Sequence, residues 1–447
     1  MKAVVVATYT AKPLNYEGPL ALVRLCGVPL LVRCLYTLKE AGVEEVILVS
    51  GPYSELLSEL NGVDELGLKV RFEESLEKAL GFLDDEEVVL LPVGTVASRS
   101  FFDLILAKKE PVVAVKDEHV LGVVRARANL ILSAVHKGLS EPREIAEFML
   151  KEGVAESIDV DKIILPEPGL KRALKPMCVV VMDKPSWLEA KRYLIFRTQK
   201  GLHFTSYINK TIEDRVVYHI SEARRLTPNM ITVLGNLMAF AIVPLFIIGH
   251  FLYASILAYL VGIIDGLDGK LARSRGFLTR LGHIEHSFDM FFEQTWYLSF
   301  TVGLYLAFNL WWIPILGGAF LVLDSFVRHV YMQFKDTMGV ALSIYSKFDR
   351  AFARIDGRRN VYILYMVLFS AMHLLGFSLG PFPTPIYALM AMAAHAFITA
   401  LVYAVRAIKH MRDADRSSGI LAWMELAKKL PSPKKCRNLS LDKAEFA

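Results

Sequence analysis

Cysteine is scarce in this sequence, with four in 447 residues and no two of them in Cys-x-x-Cys spacing. That scarcity argues against a zinc ribbon or a disulfide framework, and it favours a reducing, cytosolic setting for the soluble parts. A strong net charge is also missing, because 51 lysines and arginines are balanced by 46 acids. We therefore expect no nucleic-acid partner. We expect no secretory leader either, since Met1 leads into KAVVVA, an apolar run too short for one.

Long apolar runs are absent from the first half of the chain and dominate the second. The chain as a whole is 54% hydrophobic, with a mean hydropathy of +0.38. Six segments approach the roughly 20 apolar residues needed to cross a bilayer. They lie at residues 229–249, 251–271, 284–308, 310–332, 359–377 and 383–406. The sequence predicts an all-α domain of six transmembrane helices.

Lysine and arginine are unevenly distributed between the connections of these segments. The turn around Asn309 and the loop GFSLGPFPTP contain neither, whereas the other connections and both flanks are basic. Basic loops mark the cytoplasmic side of a membrane protein. We therefore expect a multi-pass protein of the plasma membrane with both termini cytoplasmic.

The first 188 residues alternate short apolar runs with helical stretches. The runs of strand length are KAVVVAT, EEVILVS, LKVRFEE, EEVVLLPV, PVVAVKD and MCVVVMD. This alternation predicts an α/β domain with a mostly parallel sheet over 1–188. Residues 189–225 are basic and amphipathic, and they predict a linker helix in the membrane interface or one packed on the soluble domain. The membrane domain then covers 226–408, and the polar residues 409–447 predict a cytoplasmic tail.

Four acids interrupt the second and third apolar segments. Asp265 and Asp268 share one helical face, and Glu285 and Asp289 share a face of the next helix. Each acid would cost about 2.5–3.5 kcal/mol inside a bilayer, so the four predict a wet cytoplasmic cavity with shared divalent cations. Carboxylates suit Mg²⁺ or Mn²⁺, and two such ions can stabilise both oxygens of a phosphoryl displacement. A buried ion-pair network is the alternative, disfavoured because the nearby arginines lie in the turn between the helices.

The span D-G-L-D-G-K-L-A-R at 265–273 resembles the signature of the CDP-alcohol phosphotransferase family, D-x-x-D-G-x-x-A-R, a spacer, then G-x-x-x-D-x-x-x-D. The positions that match in residue and spacing are Asp265, Asp268, Gly269, Ala272, Arg273 and Gly282. LTPNMIT at 226–232 resembles the motif that opens the first transmembrane helix of this family. Six helices with cytoplasmic termini also agree with its membrane domain. The resemblance covers about 190–408.

The second acid pair departs from the signature. The position four residues after Gly282 holds His286, and the fourth acid position falls on Met290. Deleting one loop residue restores the acid spacing with Glu285 and Asp289. The alternative pair, Asp289 and Glu293, requires three inserted residues, so we favour Glu285.

The resemblance implies a reaction and a role for each residue. It implies a transferase that moves a substituted phosphate from a CDP-alcohol to the hydroxyl of an acceptor alcohol or phospho-alcohol, with release of CMP. Two Mg²⁺ or Mn²⁺ ions would be held by Asp265, Asp268, Glu285 and Asp289. Asp289 would also be the general base. The nucleotide would be bound by Asn229, Thr232, Asp265, Asp268, Gly269, Ala272, Arg273 and Thr279. Family precedent adds a homodimer.

Other cations in the membrane half have less specific interpretations. Arg328 lies inside an apolar segment, so its charge should face an interior cavity. A basic run precedes the fifth segment and consists of Lys347, Arg350, Arg354, Arg358 and Arg359. It is either positive-inside charge or a clamp for an anionic group.

The first domain resembles sugar-phosphate nucleotidyltransferases in the run GPLALVRLCGVPLL and in the closing segment MDKPSWLEAKRYL. Its catalytic parts are mostly missing. The lysine of the family motif falls on Pro19 and the metal-binding aspartate on Thr95, while Asp183 can keep one carboxylate. We expect an inactive domain. The order of the two domains resembles archaeal fusions of inositol-1-phosphate cytidylyltransferase with di-myo-inositol phosphate phosphate synthase.

Two other functions stay open at this point. In the first, the N-terminal domain is active and makes the CDP-alcohol from CTP. In the second, the chain is a non-catalytic membrane protein that uses its acids to bind or transport a cation.

Overall fold

The computed structural model describes residues 1–58, 67–166, 173–199, 203–276 and 285–420, together with 422 and 424. The N-terminal part is a mostly parallel α/β domain. Its strands are β1 (Lys2–Val6), β2 (Arg24–Leu25), β3 (Val28–Pro29), β4 (Glu45–Val49), β5 (Lys69–Glu73), β6 (Glu87–Pro92), β7 (Thr95–Ala97), β8 (Val112–Lys116), β9 (His119–Arg127), β10 (Glu156–Asp159), β11 (Leu165–Pro166), β12 (Ala173–Leu174) and β13 (Cys178–Val180).

Seven of these strands form the central sheet in the order β10-β8-β9-β6-β1-β4-β5. Strands β6, β1, β4 and β5 run parallel, and β9 is antiparallel to both of its neighbours. Each of the six predicted apolar runs contains a strand. The last run differs from the prediction, because β13 pairs with β7 outside the central sheet. The prediction also missed β9, whose run HVLGVVRAR mixes charged and apolar residues.

Among the described residues, six α-helices cover the two faces of the sheet. They are α1 (Leu30–Glu40), α2 (Ser54–Ser58), α3 (Leu76–Gly81), α4 (Arg99–Leu106), α5 (Ala128–Val135) and α6 (Pro142–Lys151). Alternate residues of β1 separate two cores: Ala3 and Val5 pack with α1 and α4, whereas Val4 and Val6 pack with α3, α5 and α6. A strand buried on both faces reads as a continuous apolar run, as KAVVV does.

The linker consists of two helices, where the sequence predicts one. Helix α7 (Lys184–Phe196) begins before residue 188 and therefore crosses the predicted domain boundary. Its start is fixed by a capping box in which Asp183 and Ser186 exchange hydrogen bonds with each other's backbone. Helix α8 (Phe204–Ile220) follows, with His203 as its N-cap.

Helix α8 is amphipathic with its polar side inward. Four large apolar side chains in its first half are exposed and lie on one face: Phe204, Tyr207, Ile208 and Ile212. Val217, nearer its end, is buried. Its buried polar side chains are Thr205, Asn209, Glu213 and Asp214. A soluble domain would bury the apolar face, so the exposed stripe has the composition of a surface that contacts lipid.

Eight α-helices are found among the described residues of the C-terminal part. They are α9 (Pro228–Ile247), α10 (Phe251–Arg275), α11 (Glu285–Phe308), α12 (Ile313–Met338), α13 (Leu342–Tyr345), α14 (Lys347–Phe352), α15 (Arg359–Leu374) and α16 (Thr384–Ser417). Within the described chain, α9, α10, α12 and α16 are long and apolar enough to cross a membrane.

The other two predicted spans are also helical, as α11 and α15. Helix α15 has 16 residues, which is about 24 Å of helix against a hydrocarbon core of roughly 30 Å. Helix α11 has three acids in its first nine residues, Glu285, Asp289 and Glu293. At the other end of the domain, α16 continues past the predicted boundary at 408 to Ser417.

The core of the membrane helices is aromatic. Trp296 of α11 is fully buried and donates its indole N–H to the Ala239 carbonyl of α9 at 2.7 Å. Tyr297, Phe320 and Tyr362 pack edge to face from three helices. These contacts fix α9, α11, α12 and α15 against one another.

The two halves of the chain meet at the C-terminal end of α10. Glu222 accepts the backbone N–H groups of Cys26 and Gly27, each at 2.9 Å. Arg33 of α1 is buried and donates to the Ser274 carbonyl at 3.0 Å. Arg275 donates to the Leu226 carbonyl at 2.8 Å. The last turn of α10 is therefore attached to the α/β domain and to the segment that opens α9.

Candidate active site

Helix α10 presents the two aspartates of the predicted site to two different helices. The Asp268 carboxylate is buried and accepts a hydrogen bond of 2.6 Å from the Thr232 hydroxyl on α9. Thr232 stands in the second turn of α9, whose start is capped by the Thr227 side chain. The structure thus brings together two residues that the sequence predicted for one site. Asn229 lies exposed in the first turn of the same helix.

Asp265 forms an ion pair with Arg359 at the start of α15. The same guanidinium contacts Glu293 of α11, with 3.0 Å between Nη1 and Oε1. Asp289, one turn earlier on α11, also contributes to the electrostatic field at Arg359. Carboxylates from α10 and α11 therefore converge on one positive charge. The predicted convergence of Asp265 and Asp268 with Glu285 and Asp289 on a metal pair stays a prediction. The observed ion pairs are of the kind that the sequence disfavoured, because it placed the nearby cations in the turn.

Glu293 is almost completely buried and has a second cationic partner. Arg328 of α12 donates to Glu293 and, at 2.9 Å, to Asp324 on its own helix. This agrees with the prediction that Arg328 faces the interior. Glu293, Arg328 and Arg359 therefore join α11, α12 and α15. Together with Asp265 they form a polar centre between the helices.

Arg273, predicted to bind a phosphate, contacts protein groups in this structure. Its Nε donates to the Thr198 carbonyl between α7 and α8 at 2.9 Å. The guanidinium also lies against Gly269, where an added Cβ would be 3.0 Å from Nη1. Gly269 therefore leaves room for the arginine in this conformation. Ala272 is half-buried on the same helix.

Part of the predicted site lies outside the described residues. These are Thr279, Gly282 and the Glu285 side chain. Among the side chains that are described, no three His, Cys, Asp or Glu residues form a ready metal-binding group. The carboxylates of Asp265 and Glu293, which are of the hard oxygen type that divalent cations prefer, pair here with the Arg359 guanidinium.

The predicted basic run divides into two groups. Arg358 pairs with Asp356, and Arg359 with Asp265 and Glu293. Lys347, Arg350 and Arg354 are exposed on α14 and after it. The first group belongs to the polar interior, and the second lies on the surface.

Sequence reasoning missed an acidic pair on α8. Lys270, inside the signature, is 1% exposed and forms ion pairs with Asp214 and, at 3.2 Å, with Glu213. Burial raises the pKa of Glu213, and Lys270 opposes that shift. A lysine within an apolar helix was the available signal, since such a charge needs a buried partner.

Two positions of the nucleotidyltransferase motif form hydrogen bonds within the α/β domain. Thr95 is buried and donates its hydroxyl to the Pro92 carbonyl at 2.7 Å. Asp183 caps α7, and hydrogen bonds from Ser186 lower its pKa. A cleft of about 720 Å³ does lie at the ends of β6, β8 and β13, lined by Tyr9, Lys116, Glu141 and Asp183 among others.

Comparison with known protein families identifies the membrane half of the chain. Residues 225–399 match the model of the CDP-alcohol phosphatidyltransferase family. The membrane half of this chain is a domain of that family. The chain is thus a membrane transferase of the CDP-alcohol class, and a purely cation-binding or transport function is set aside.

This chain is similar to several known proteins. The bifunctional IPC transferase and DIPP synthase of Aquifex aeolicus (strain VF5) is 26% identical over 303 residues, covering 61% of this chain and 69% of that protein. A phosphatidylinositol phosphate synthase from Mycobacterium tuberculosis, solved with CDP-DAG bound, is similar at 18% identity and a TM-score of 0.33, covering 45% of this chain and 94% of that one. A putative glucose-1-phosphate thymidylyltransferase from Bacillus anthracis is similar at 14% identity and a TM-score of 0.34, covering 43% and 94%.

Proposed function

We propose that this chain transfers a substituted phosphate group from a CDP-alcohol to an acceptor hydroxyl at the polar centre between α10 and α11. The convergence of Asp265 and Glu293 on Arg359, with Asp289 nearby, supports this location. The acceptor oxygen forms a bond to the phosphorus that carries the donor alcohol. The bond from that phosphorus to the CMP oxygen breaks, and the acceptor proton goes to Asp289 as general base.

We assign the divalent cation to Asp265, Asp268, Asp289 and a fourth acid. Bound Mg²⁺ or Mn²⁺, as one ion or two, would neutralise charge on the phosphates during the displacement. Glu285 is our choice for the fourth acid because it keeps the spacing of the signature. Glu293 is the alternative, since it already shares Arg359 with Asp265.

We place the nucleotide next to Gly269 and Ala272, between the first turns of α9 and the end of α10. Asn229 and Thr232 line this place from α9, and Thr279 would complete it from the loop. Arg273 would bind a phosphate through its fork, which requires its hydrogen bond to Thr198 to be exchanged for the ligand. Thr232 holds Asp268 in orientation.

The defining experiment measures CMP release from the purified full-length protein with Mg²⁺ or Mn²⁺ and a panel of CDP-alcohols and acceptors. CDP-inositol, CDP-glycerol and CDP-diacylglycerol are the donors to include. We expect at least one pair to react and Asp289→Asn to lose most of the rate. The proposal would be refuted if no donor and acceptor pair released CMP, or if the Asp289→Asn variant released CMP as fast as the parent.

The fourth acid is identified by comparing Glu285→Gln with Glu293→Gln in the same assay and in Mn²⁺ binding followed by electron paramagnetic resonance. Loss of Mn²⁺ binding in Glu285→Gln alone supports our choice. Loss in Glu293→Gln alone assigns the site to the alternative pair, provided that its melting temperature shows the protein folded.

We further propose an inactive N-terminal domain, supported by the structural use of Thr95 and Asp183. The second candidate, an active cytidylyltransferase, is favoured by the similarity to a bifunctional relative. Pyrophosphate release from CTP and phospho-alcohols by the full-length protein distinguishes the two. No pyrophosphate is expected.

Our topology has six spans, including α11 and α15, in the plasma membrane, with both termini and the acid centre on the cytoplasmic side. Charge placement and the exposed apolar stripe of α8 support it, since that stripe would lie in the lipid interface. We also propose a homodimer. Labelling of single cysteines introduced at Gly380 and Arg354 tests the topology: only Gly380 should react from outside the cell.

A further inference from the structure

Helix α10 has two chemically different faces. Asp265, Asp268, Gly269 and Ala272 recur at helical spacing on the face directed to the proposed reaction. Gly266, Lys270 and Arg273, spaced by four and three residues, share a second face. That second face is covered by α8 and by the segment that precedes it.

The contact between α8 and α10 contains a buried group of charges beside an apolar cluster that includes Val217 and Leu271. Lys270, Asp214 and Glu213 are 1%, 4% and 7% exposed. The Lys270 ammonium pairs with Asp214 and lies 3.2 Å from the Glu213 carboxylate. Lys210, on α8 itself, supplies Asp214 with a second and more exposed partner at 2.7 Å.

The two helices also approach closely at Gly266. A Cβ on this residue would lie 2.5 Å from Oε1 of Glu213, which is closer than atoms can come. The Glu213 carboxylate therefore occupies the space that a side chain would fill, one residue after Asp265. Any rotation of α10 moves this glycine away and brings a side chain against the acid.

We propose that Glu213, Asp214 and Lys270 are positioning residues that set the rotation and depth of α10 and so aim Asp265 and Asp268 at the cation. The inference rests on the proposed function. Its physical basis is that a helix turns by about 100° per residue, so a slip of one residue would bury Lys270 without a partner. Buried ionic groups are best attested in such a register-setting role, because removing one partner leaves an uncompensated charge.

The test uses the full-length protein in detergent and three variants. Lys270→Met leaves Glu213 without its lysine partner and Asp214 with Lys210 alone. The triple variant Glu213→Gln, Asp214→Asn, Lys270→Met removes all three charges while keeping their volumes. Lys210→Met is the matched control, because it removes a partner of Asp214 without touching α10. The measurements are Mn²⁺ affinity by electron paramagnetic resonance and melting temperature, with CMP release as a third.

We expect Lys270→Met, measured below its own melting temperature, to bind Mn²⁺ about tenfold more weakly than the parent. Losing a group that orients metal ligands has an effect of about this size. The Mn²⁺ affinity of the triple variant should be within about threefold of the parent's. That of Lys210→Met should be within about twofold. A Lys270→Met protein with parental Mn²⁺ affinity overturns the positioning role, whatever its melting temperature. A parent that neither binds Mn²⁺ nor releases CMP contradicts the proposed function and this inference together.

Discussion

The Thr232 hydroxyl donates a hydrogen bond of 2.6 Å to the buried carboxylate of Asp268 and so joins α9 to α10. The two residues are 36 positions apart and belong to different sequence motifs. Because Asp268 is 2% exposed, the orientation of its carboxylate is set by protein groups rather than by water. The opening motif of α9 therefore supports the acid of the signature directly.

Replacing Thr232 should slow the reaction, because its hydroxyl orients the Asp268 carboxylate. Thr232→Val keeps the shape but removes the donor, and a hydrogen bond to a charged group contributes about 2 kcal/mol. We expect CMP release to fall by roughly tenfold or more, while Thr232→Ser retains most of it. Equal rates in the valine and serine variants would show that the hydroxyl does not matter.

Arg359 should compete with the cation for the same acids. Removing one partner of a buried ion pair costs about 3–5 kcal/mol, so Arg359→Met should melt at a lower temperature than the parent. Added Mg²⁺ should raise the melting temperature more in the variant than in the parent, since ligand binding to the folded state stabilises it.

Arg350→Met is the control for this experiment, because Arg350 is an exposed arginine of α14. It should melt close to the parent and respond to Mg²⁺ as the parent does. Identical Mg²⁺ responses in Arg359→Met and the parent would argue against a shared site.

His203 should make the protein less stable in mild acid. Burial lowers its pKa to about 4 from an ordinary 6.5, and its Nδ1 accepts the Thr205 N–H at the start of α8. Between these values the unfolded chain binds a proton that the folded chain does not, so stability falls as pH decreases from about 6.5 to 4. At pH 5 the loss is about 2 kcal/mol.

His203→Asn isolates this effect, because asparagine can cap the helix but does not titrate. The drop in melting temperature between pH 7 and pH 5 should be smaller in the variant. An equal drop would assign the acid sensitivity to other groups.

Glu222 should hold the two halves of the chain together. Glu222→Gln keeps one acceptor oxygen but turns an NH₂ group toward the N–H of Cys26 or Gly27. We expect a stability loss of about 2 kcal/mol and easier proteolysis between the α/β domain and α9. Glu189→Gln, which removes a more exposed pair with Lys116, should change stability by about 1 kcal/mol or less.

Periodicity predicted the elements better than it predicted their partners. The runs that became β1, β4, β6 and β8 were visible because a strand buried on both faces is apolar throughout. The edge strand β5 differs, because its apolar residues alternate with charged ones. β9 was not visible, since its ends are charged and its place is decided by pairing with β6 and β8. The single linker helix became two helices, with the short segment between them supplying the Thr198 carbonyl that holds Arg273.

The sequence by itself determined that this chain has an α/β half and a membrane half, and that Asp265 and Asp268 share one face of α10. Those properties follow from composition and helical spacing, which are local. Only the tertiary structure decided that Arg359, 94 residues away, neutralises Asp265, and that Glu213 and Asp214 hold Lys270. The reason is physical: a buried charge requires a partner, but any helix that reaches it can supply one, and spacing along the chain does not tell which.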